Sequence, residues 1–334
     1  MPMQQHDAQR EAAPGALDGV SETALWTVRM RAHESARADA LFDDRLAGEF
    51  LNAAGVAGAP PGAGVLQKVL PDWLAVRTRF FDDHLLATTR EGRTQVVLLG
   101  AGLDTRAFRL DWPAGTHVFE VDLPAVHTFK ARVVDGRTPD TARRTTVAAD
   151  LLGDWRGALL AAGFDPGRPT AWLCEGLLFY LAPEAVERLI GTVSTLSAPG
   201  SSLGAECLNA DTADSPFVKP WLEALSGSGT PWVWHLADAE RWWGGYGWQA
   251  RVADLLALPY AVERFAPHLA AFSGVEKDSM ILVTATTPDG GATPDGGTSA
   301  DDGTTPDGGT SPDGGTSPDG GTSPDGGTSP VGGR

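Results

Sequence analysis

Gln95-Val96-Val97-Leu98-Leu99-Gly100-Ala101-Gly102-Leu103-Asp104-Thr105-Arg106 is the stretch whose reading decides the fold. Gln95 to Leu99 is a short, almost wholly apolar run, as expected of a parallel strand covered on both faces. It passes straight into Gly100 and Gly102, which let the backbone turn sharply and approach a ligand where a Cβ would collide. Beyond Gly102 a second apolar run, His117 to Val121, delivers Glu120 and then Asp122. A carboxylate at that strand end can accept both hydroxyls of a ribose. A Gly-x-Gly pair alone marks a tight turn; between an apolar strand and an acidic strand end it predicts a site for a nucleoside-bearing cofactor.

Further strands are predicted at Thr145 to Ala148 (before Asp150-Leu151), Thr170 to Cys174 (before Glu175-Gly176), Ser202 to Cys207, Gln249 to Val252 and Met280 to Thr284. Helical segments alternate with them. The pattern predicts an α/β fold: a Rossmann-like, doubly wound, mostly parallel seven-stranded sheet that binds ligands at the carboxyl ends of its strands. Ahead of the sheet, Ser21 is a plausible N-cap for a helix whose apolar face holds Ala24, Leu25, Val28 and Met30. Residues 32–51 predict another helix or two, Ala53 to Gly64 a loop, and 66–90 a long amphipathic helix burying Leu74, Phe81 and Leu85.

From Pro288 the unit P-D-G-G-T-S recurs every six residues. Without aromatic residues it cannot bury enough surface to offset chain entropy, which predicts a disordered acidic tail over 288–334. Its hexad has no aliphatic position, unlike the nonapeptide of calcium-binding β-rolls. Residues 1–20 are a polar, flexible leader, and 21–287 suit one domain in which 21–90 and 211–270 supply substrate or cap elements. Net charge is −17, of which the tail carries −7 and the rest −10. An acidic body disfavours nucleic acid and anionic membranes as partners. Met1 to Gly19 lacks the apolar core of a signal peptide, and no apolar run is long enough to span a bilayer. Cys174 and Cys207, the two cysteines, fit a reducing cytoplasm and exclude a cysteine-rich zinc site. His33, His84, His117, His127 and His235 lack the spacing of metal ligands, so no metal is predicted.

A dinucleotide loop normally carries a third glycine where this chain has Thr105, and Asp104 is an awkward neighbour for a diphosphate. S-adenosylmethionine has no phosphate, and an acidic pocket suits its sulfonium and ammonium. The ordered runs RTRFFDDHLL, VVLLGAGLDTRAFRL, VFEVDLPAVHTFK, ADL and LCEGLLFYL, from Arg77 to Leu181, resemble the leucine carboxyl methyltransferase-like family of S-adenosylmethionine-dependent class I methyltransferases. Within it the chain looks closest to the bacterial branch of candidate O-methyltransferases, some of which serve polyketide pathways. The resemblance spans Val20 to Thr286 and leaves out the tail.

The resemblance implies that Arg77 grips the cofactor's carboxylate, with Arg79 the fallback two residues on. It implies that Gly100 and Gly102 pass under the methionyl part, Asp122 holds the ribose, Asp150 and Leu151 flank adenine, and Glu175 lies near the amino-acid end. Tyr180 takes the family's tyrosine position and borders the acceptor as the candidate catalytic residue. Each has a purely structural alternative. Arg77 and Arg79 could pair with Asp72, Asp82 or Asp83 on a solvated helix face, Asp150 could cap the next helix, and Tyr180 could be core. Glu175 after an apolar strand needs a partner.

The expected reaction is direct displacement by an oxygen of a small-molecule acceptor. A carboxylate acceptor needs no general base, whereas a hydroxyl does, and no His–carboxylate pair is evident. Six of the eleven tryptophans fall in 211–270 (Trp221, Trp232, Trp234, Trp242, Trp243 and Trp248); they either line a pocket for a flat polyketide, with Trp232 or Trp234 touching it, or cover the sheet. The rival readings are an NAD(P)-dependent oxidoreductase, against which Thr105 and the lack of a Tyr-x-x-x-Lys motif count, and a non-catalytic cofactor-binding scaffold.

Overall fold

A computed structural model describes residues 22–56, 65–210, 219–227, 229–268 and 280–289, without the side chains of 65–68, 220, 221, 224 and 256. The predicted leader 1–20, the Ser21 cap, most of the 53–64 loop, residues 211–218, Trp221's side chain and the repeat tail from 290 lie outside the described residues.

All seven predicted strands form: β1 Gln95–Leu99, β2 His117–Asp122, β3 Arg143–Ala148, β4 Thr170–Cys174, β5 Ser202–Leu208, β6 Gln249–Val252 and β7 Met280–Thr286. They make one sheet in the order β3-β2-β1-β4-β5-β7-β6, parallel except for β7, which runs against both neighbours. The strand order reverses between β1 and β4, which opens the crevice where such sheets bind ligands. β3 starts two residues earlier than its apolar residues indicate, at Arg143. It is an edge strand, where charge is tolerated and guards against further pairing.

β1 shows why the central strands are largely apolar. Val96 and Leu98 face one core, with Phe81, Leu85, Ala171 and Leu173. Val97 and Leu99 face the other, with Phe119, Trp172, Val186 and Ile190. The first core is closed by α3 (Val65–Arg90), on which Leu74, Phe81 and Leu85 are buried as their spacing predicts. The helix before it, α1 (Glu22–Ser35), runs further than its apolar face suggests, and after a turn α2 (Arg45–Ala53) follows. On the same face as α3 lie a short α4 (Arg106–Arg109), whose Ala107 joins that core, and α5 (Pro124–Val134), whose Lys130 bonds Glu120; across the sheet come α6 (Trp155–Ala161) and α7 (Pro183–Thr195). Later helices are α8 (Lys219–Gly227), α9 (Ala239–Gly244) and α10 (Pro259–Phe265).

Most of the described tryptophans in the Trp-rich segment take the sheet-covering role. Trp234, Trp243 and Trp248 are buried in the core under β5 and β7, and Trp248 Nε1 donates to Ser194 Oγ of α7 at 2.8 Å. These rings cover the sheet. Trp232 is only half-buried and stacks obliquely on Phe179 with centroids 3.8 Å apart.

α3 reaches the sheet over a glycine. A Cβ at Gly204 of β5 would meet Phe81 Cδ1 at 3.0 Å and Leu173 Cδ1 at 3.2 Å. Gly204→Ala is therefore expected to force these side chains apart and lower stability by about 1–3 kcal/mol, read as a lower urea midpoint. An unchanged midpoint would show that the α3 interface yields freely.

Candidate cofactor site

The glycine loop and the acidic strand end are joined directly. Ala101 N–H donates to Val121 O at 3.1 Å, carrying the β1–β2 pairing past the strand. Gly102 N–H then donates to Asp122 Oδ2 at 2.6 Å, and Leu123 N–H to Oδ1 at 2.7 Å. A carboxylate has about four lone-pair positions, so Asp122, half-buried, is oriented by backbone and keeps acceptor capacity for a diol. Gly100 and Gly102 have φ of +63° and +47°, the left-handed region that favours glycine. A Cβ at Gly100 would also lie 3.0 Å from Leu177 Cδ1, across the strand-order reversal. Next along, α1 grips the loop: Arg31 Nη2 donates to Leu103 O at 2.8 Å, and Nη1 contacts Thr105 Oγ1 at 3.3 Å and Asp44.

Beside this loop the ends of β4 and β5 meet α3 in a buried ionic network. Arg77 Nε lies 2.9 Å from Glu175 Oε1, and its Nη1 donates to Glu206 Oε2 at 2.7 Å. Glu206 Oε2 also accepts the Gly176 N–H at 3.0 Å. Arg106 Nη1 lies 2.7 Å from Glu175 Oε2 and pairs with Asp104, while its Nε donates to Asp82 Oδ1 at 2.7 Å. Arg109 holds the same Asp82 through contacts of 2.5 and 2.8 Å. Arg77, Arg106 and Arg109 thus face four carboxylates, Asp82, Asp104, Glu175 and Glu206, a balance one charge negative before Asp122 is added.

Arg79 is not part of this gathering. It pairs with Asp83 at 2.9 Å on an exposed helix face and donates to Leu41 O at 3.1 Å. Asp150 does not cap α6, whose cap is Asp154, accepting from Gly157 N–H at 2.9 Å. Asp150 instead accepts from Leu152 N–H at 2.9 Å in the turn after β3, and the adjoining Leu151 packs on the core. Tyr180 ends the single turn Leu178–Tyr180 after β4 and meets Trp232 edge to face at 5.9 Å. Burial pushes its phenol above the ordinary range, with Trp232 pulling the other way and the Glu206 charge adding to the rise. Cys174 is buried, its thiol pushed up to about 12 by desolvation, which removes it as a nucleophile. Among the described residues no group of three or more His, Cys, Asp or Glu could hold a metal ion.

Sequence reasoning missed Glu206, Arg106, Asp82 and Arg31. Arg106 was in view as the residue after the loop, but nothing local shows that it is buried among three carboxylates. Glu206 carried a usable signal: a carboxylate inside the otherwise apolar run Ser202 to Cys207, which has to be answered by a cation.

The donor set fits S-adenosylmethionine and not a dinucleotide. The loop leads into a helix of only four residues, too short to present an anion-binding terminus, and Asp104 occupies the approach. Burial alone would push Asp104 up, but Arg106, Lys130 and Arg109 outweigh it and hold the carboxyl at about 2 against its ordinary 3.8. With the folded value depressed, the stabilisation is complete above the unfolded value and is lost as pH falls through the folded one. Asp104 is therefore expected to contribute roughly 2 kcal/mol at neutral pH, disappearing between about pH 4 and 2. Urea unfolding across that interval should be steeper in pH for the native chain than for Asp104→Asn; parallel curves would sink this assignment.

Comparison with known proteins agrees with this geometry. The model of the family described as leucine carboxyl methyltransferase matches residues 24–194. A protein of Parafrankia sp., named as a candidate S-adenosyl-L-methionine-dependent methyltransferase, is 45% identical over 267 residues, covering 75% of this chain and 83% of its own length. One so named in Streptomyces avermitilis is 40% identical over 259 residues, covering 73% and 87%. The crystal structure of a DUF574 family protein from Streptomyces avermitilis shares the fold, with a TM-score of 0.51 at 18% identity over 78% of this chain and 97% of that one. These findings set aside the oxidoreductase and scaffold readings: the chain belongs to the leucine carboxyl methyltransferase family and is an S-adenosylmethionine-dependent methyltransferase.

Proposed function

We propose that the protein methylates an oxygen of a small-molecule acceptor, with a carboxylate favoured over a hydroxyl and an aromatic, polyketide-type metabolite as the substrate class. S-adenosylmethionine supplies the activated methyl group. On this reading Arg77 takes the cofactor's carboxylate, Glu175 its ammonium, Gly100 and Gly102 the methionyl backbone, Asp122 the ribose, and Asp150 with Leu151 the adenine. The protein's part in the step is positioning and exclusion of water.

The observation that carries the choice of acceptor is the state of Tyr180. A phenol is protonated at neutral pH, and burial moves that of Tyr180 further from ionisation, so it is a donor and a poor base. A protonated phenol can orient an acceptor carboxylate by hydrogen bonding to the oxygen that does not attack, and no proton need be removed. It cannot activate an alcohol. Phe179, Tyr180 and the half-buried Trp232 form an aromatic group beside Arg77 and Glu206 that suits a flat acceptor. We assign segments 21–90 and 211–270 to the acceptor side of the domain. Net charge of −17 argues against nucleic acid as substrate. Among the described residues no helix is long and apolar enough to cross a membrane, and the free buried thiols Cys174 and Cys207 suit the cytoplasm.

A screen with methyl-labelled cofactor over aromatic acids, phenols and polyketides tests this reading. Label in a base-labile ester, released as methanol by alkali, is the expected result; label in a base-stable ether would move the acceptor to a hydroxyl. Tyr180→Phe is expected to lower kcat on the acid about tenfold, a loss of roughly 1.4 kcal/mol of transition-state stabilisation, with S-adenosylhomocysteine affinity unchanged. An unaltered kcat would remove Tyr180 from the step.

A further inference from the structure

We infer that Glu206 is a positioning residue for the cofactor: fixed on β5 level with the end of β4, its carboxylate aims the guanidinium of Arg77 at the amino-acid end of S-adenosylmethionine. The inference rests on the reading of Arg77 given above and extends it to a residue that does not itself hold the ligand.

Glu206 is fully buried, and its Oε2 bonds two elements at once, Arg77 of α3 at 2.7 Å and the Gly176 N–H of the β4 turn at 3.0 Å. Arg77 is thereby tied at Nη1, while its Nε faces Glu175 Oε1 at 2.9 Å. Among the described residues no partner falls to Nη2. That nitrogen is the edge left for a carboxylate, and its direction is set once the other two are fixed, because the guanidinium is planar. Gly176, with φ of +63°, brings its backbone alongside the same group; a Cβ there would stand 3.8 Å from Nη1 and 4.0 Å from Nη2.

Stability alone does not explain such a carboxylate. A buried ion pair roughly breaks even against apolar side chains of the same volume, so β5 and α3 would hold as well with apolar residues in place of Glu206 and Arg77 together. What an apolar pair cannot do is present an oriented guanidinium. Without Glu206, the guanidinium would retain Glu175 as its one carboxylate partner and be free to turn about it. Glu175 would then hold the arginine instead of the cofactor's ammonium.

The test compares two ligands by calorimetry on the full chain: S-adenosylhomocysteine, which has the amino-acid end, and methylthioadenosine, which lacks it. Glu206→Gln keeps the shape and removes the charge. It is expected to weaken S-adenosylhomocysteine at least tenfold and leave methylthioadenosine within about twofold, which also shows that the nucleoside site is folded. A parallel loss of both ligands, or no loss of either, overturns the inference. Arg77→Met separates this failure from failure of the underlying reading. If it leaves the preference for S-adenosylhomocysteine intact, Arg77 does not take the carboxylate and both ideas fall. If it abolishes the preference while Glu206→Gln does not, only the role of Glu206 falls. Should Glu206→Gln alone be unstable, the Arg77→Met/Glu206→Gln double variant decides: no loss beyond that of Arg77→Met supports action through Arg77, and a further loss overturns it.

Discussion

A carboxylate removed from water has to be answered by a cation, and the crevice between β1, β4 and β5 is organised by that requirement. Glu175 stands between Arg77 and Arg106, Asp82 between Arg106 and Arg109, and Glu206 behind Arg77. No member can leave without stranding another, so elements distant in sequence are held in one arrangement: α3, the glycine loop with α4, and two strand ends. Such a network is a weak source of net stability but a strong source of geometry. Its cations are guanidiniums, whose planar forks transmit direction as well as charge.

The glycine loop depends on the same network from its other side. Its backbone is set by left-handed glycines and by Asp122, but its far end is fixed by Arg106, which shares its partner Glu175 with Arg77. Arg31 adds a third tie, from α1 to Leu103 and Thr105, so the N-terminal helices are joined to the glycine loop and do more than pad the sheet. In dinucleotide sites the equivalent position is a glycine that lets a helix pack close. Here Thr105 is fully buried and within reach of Arg31. The departure from the dinucleotide pattern thus has a structural use: it docks α1 onto the loop.

The sheet was legible because its central strands β1, β4 and β5 are buried on both faces, which leaves short apolar runs. β3 was read two residues short because an edge strand tolerates Arg143 and Arg144, which look like loop. α1 was cut short for a related reason. Its last turns bury Arg31 and Glu34, whose burial is decided by partners elsewhere: Asp44, the loop, and Arg264 on α10. The tryptophans were visible as a cluster, but their division between sheet cover and the neighbourhood of Tyr180 depends on how β6 and β7 return to the sheet, which no local pattern encodes.

Two buried glutamates show where a sequence does announce its ionic network. Glu120 in the run His117 to Val121 and Glu206 in the run Ser202 to Cys207 each interrupt an apolar strand, and both are wholly buried. For Glu120 the answering cation is near in sequence: Lys130 on α5 at 2.8 Å, ten positions on, with Arg144 of the adjacent β3 at 2.7 Å. For Glu206 it is Arg77, more than a hundred residues earlier. The strand position alone says that a cation must exist, and only the fold says which one. In register Glu120 pairs with Leu98, inside β1, whereas Glu206 lies one step beyond the Cys174–Ala205 pair, level with Glu175. Glu120 therefore ties β2 to α5 and β3 two residues before Asp122, and Glu206 ties α3 to the turn after β4 that carries Glu175.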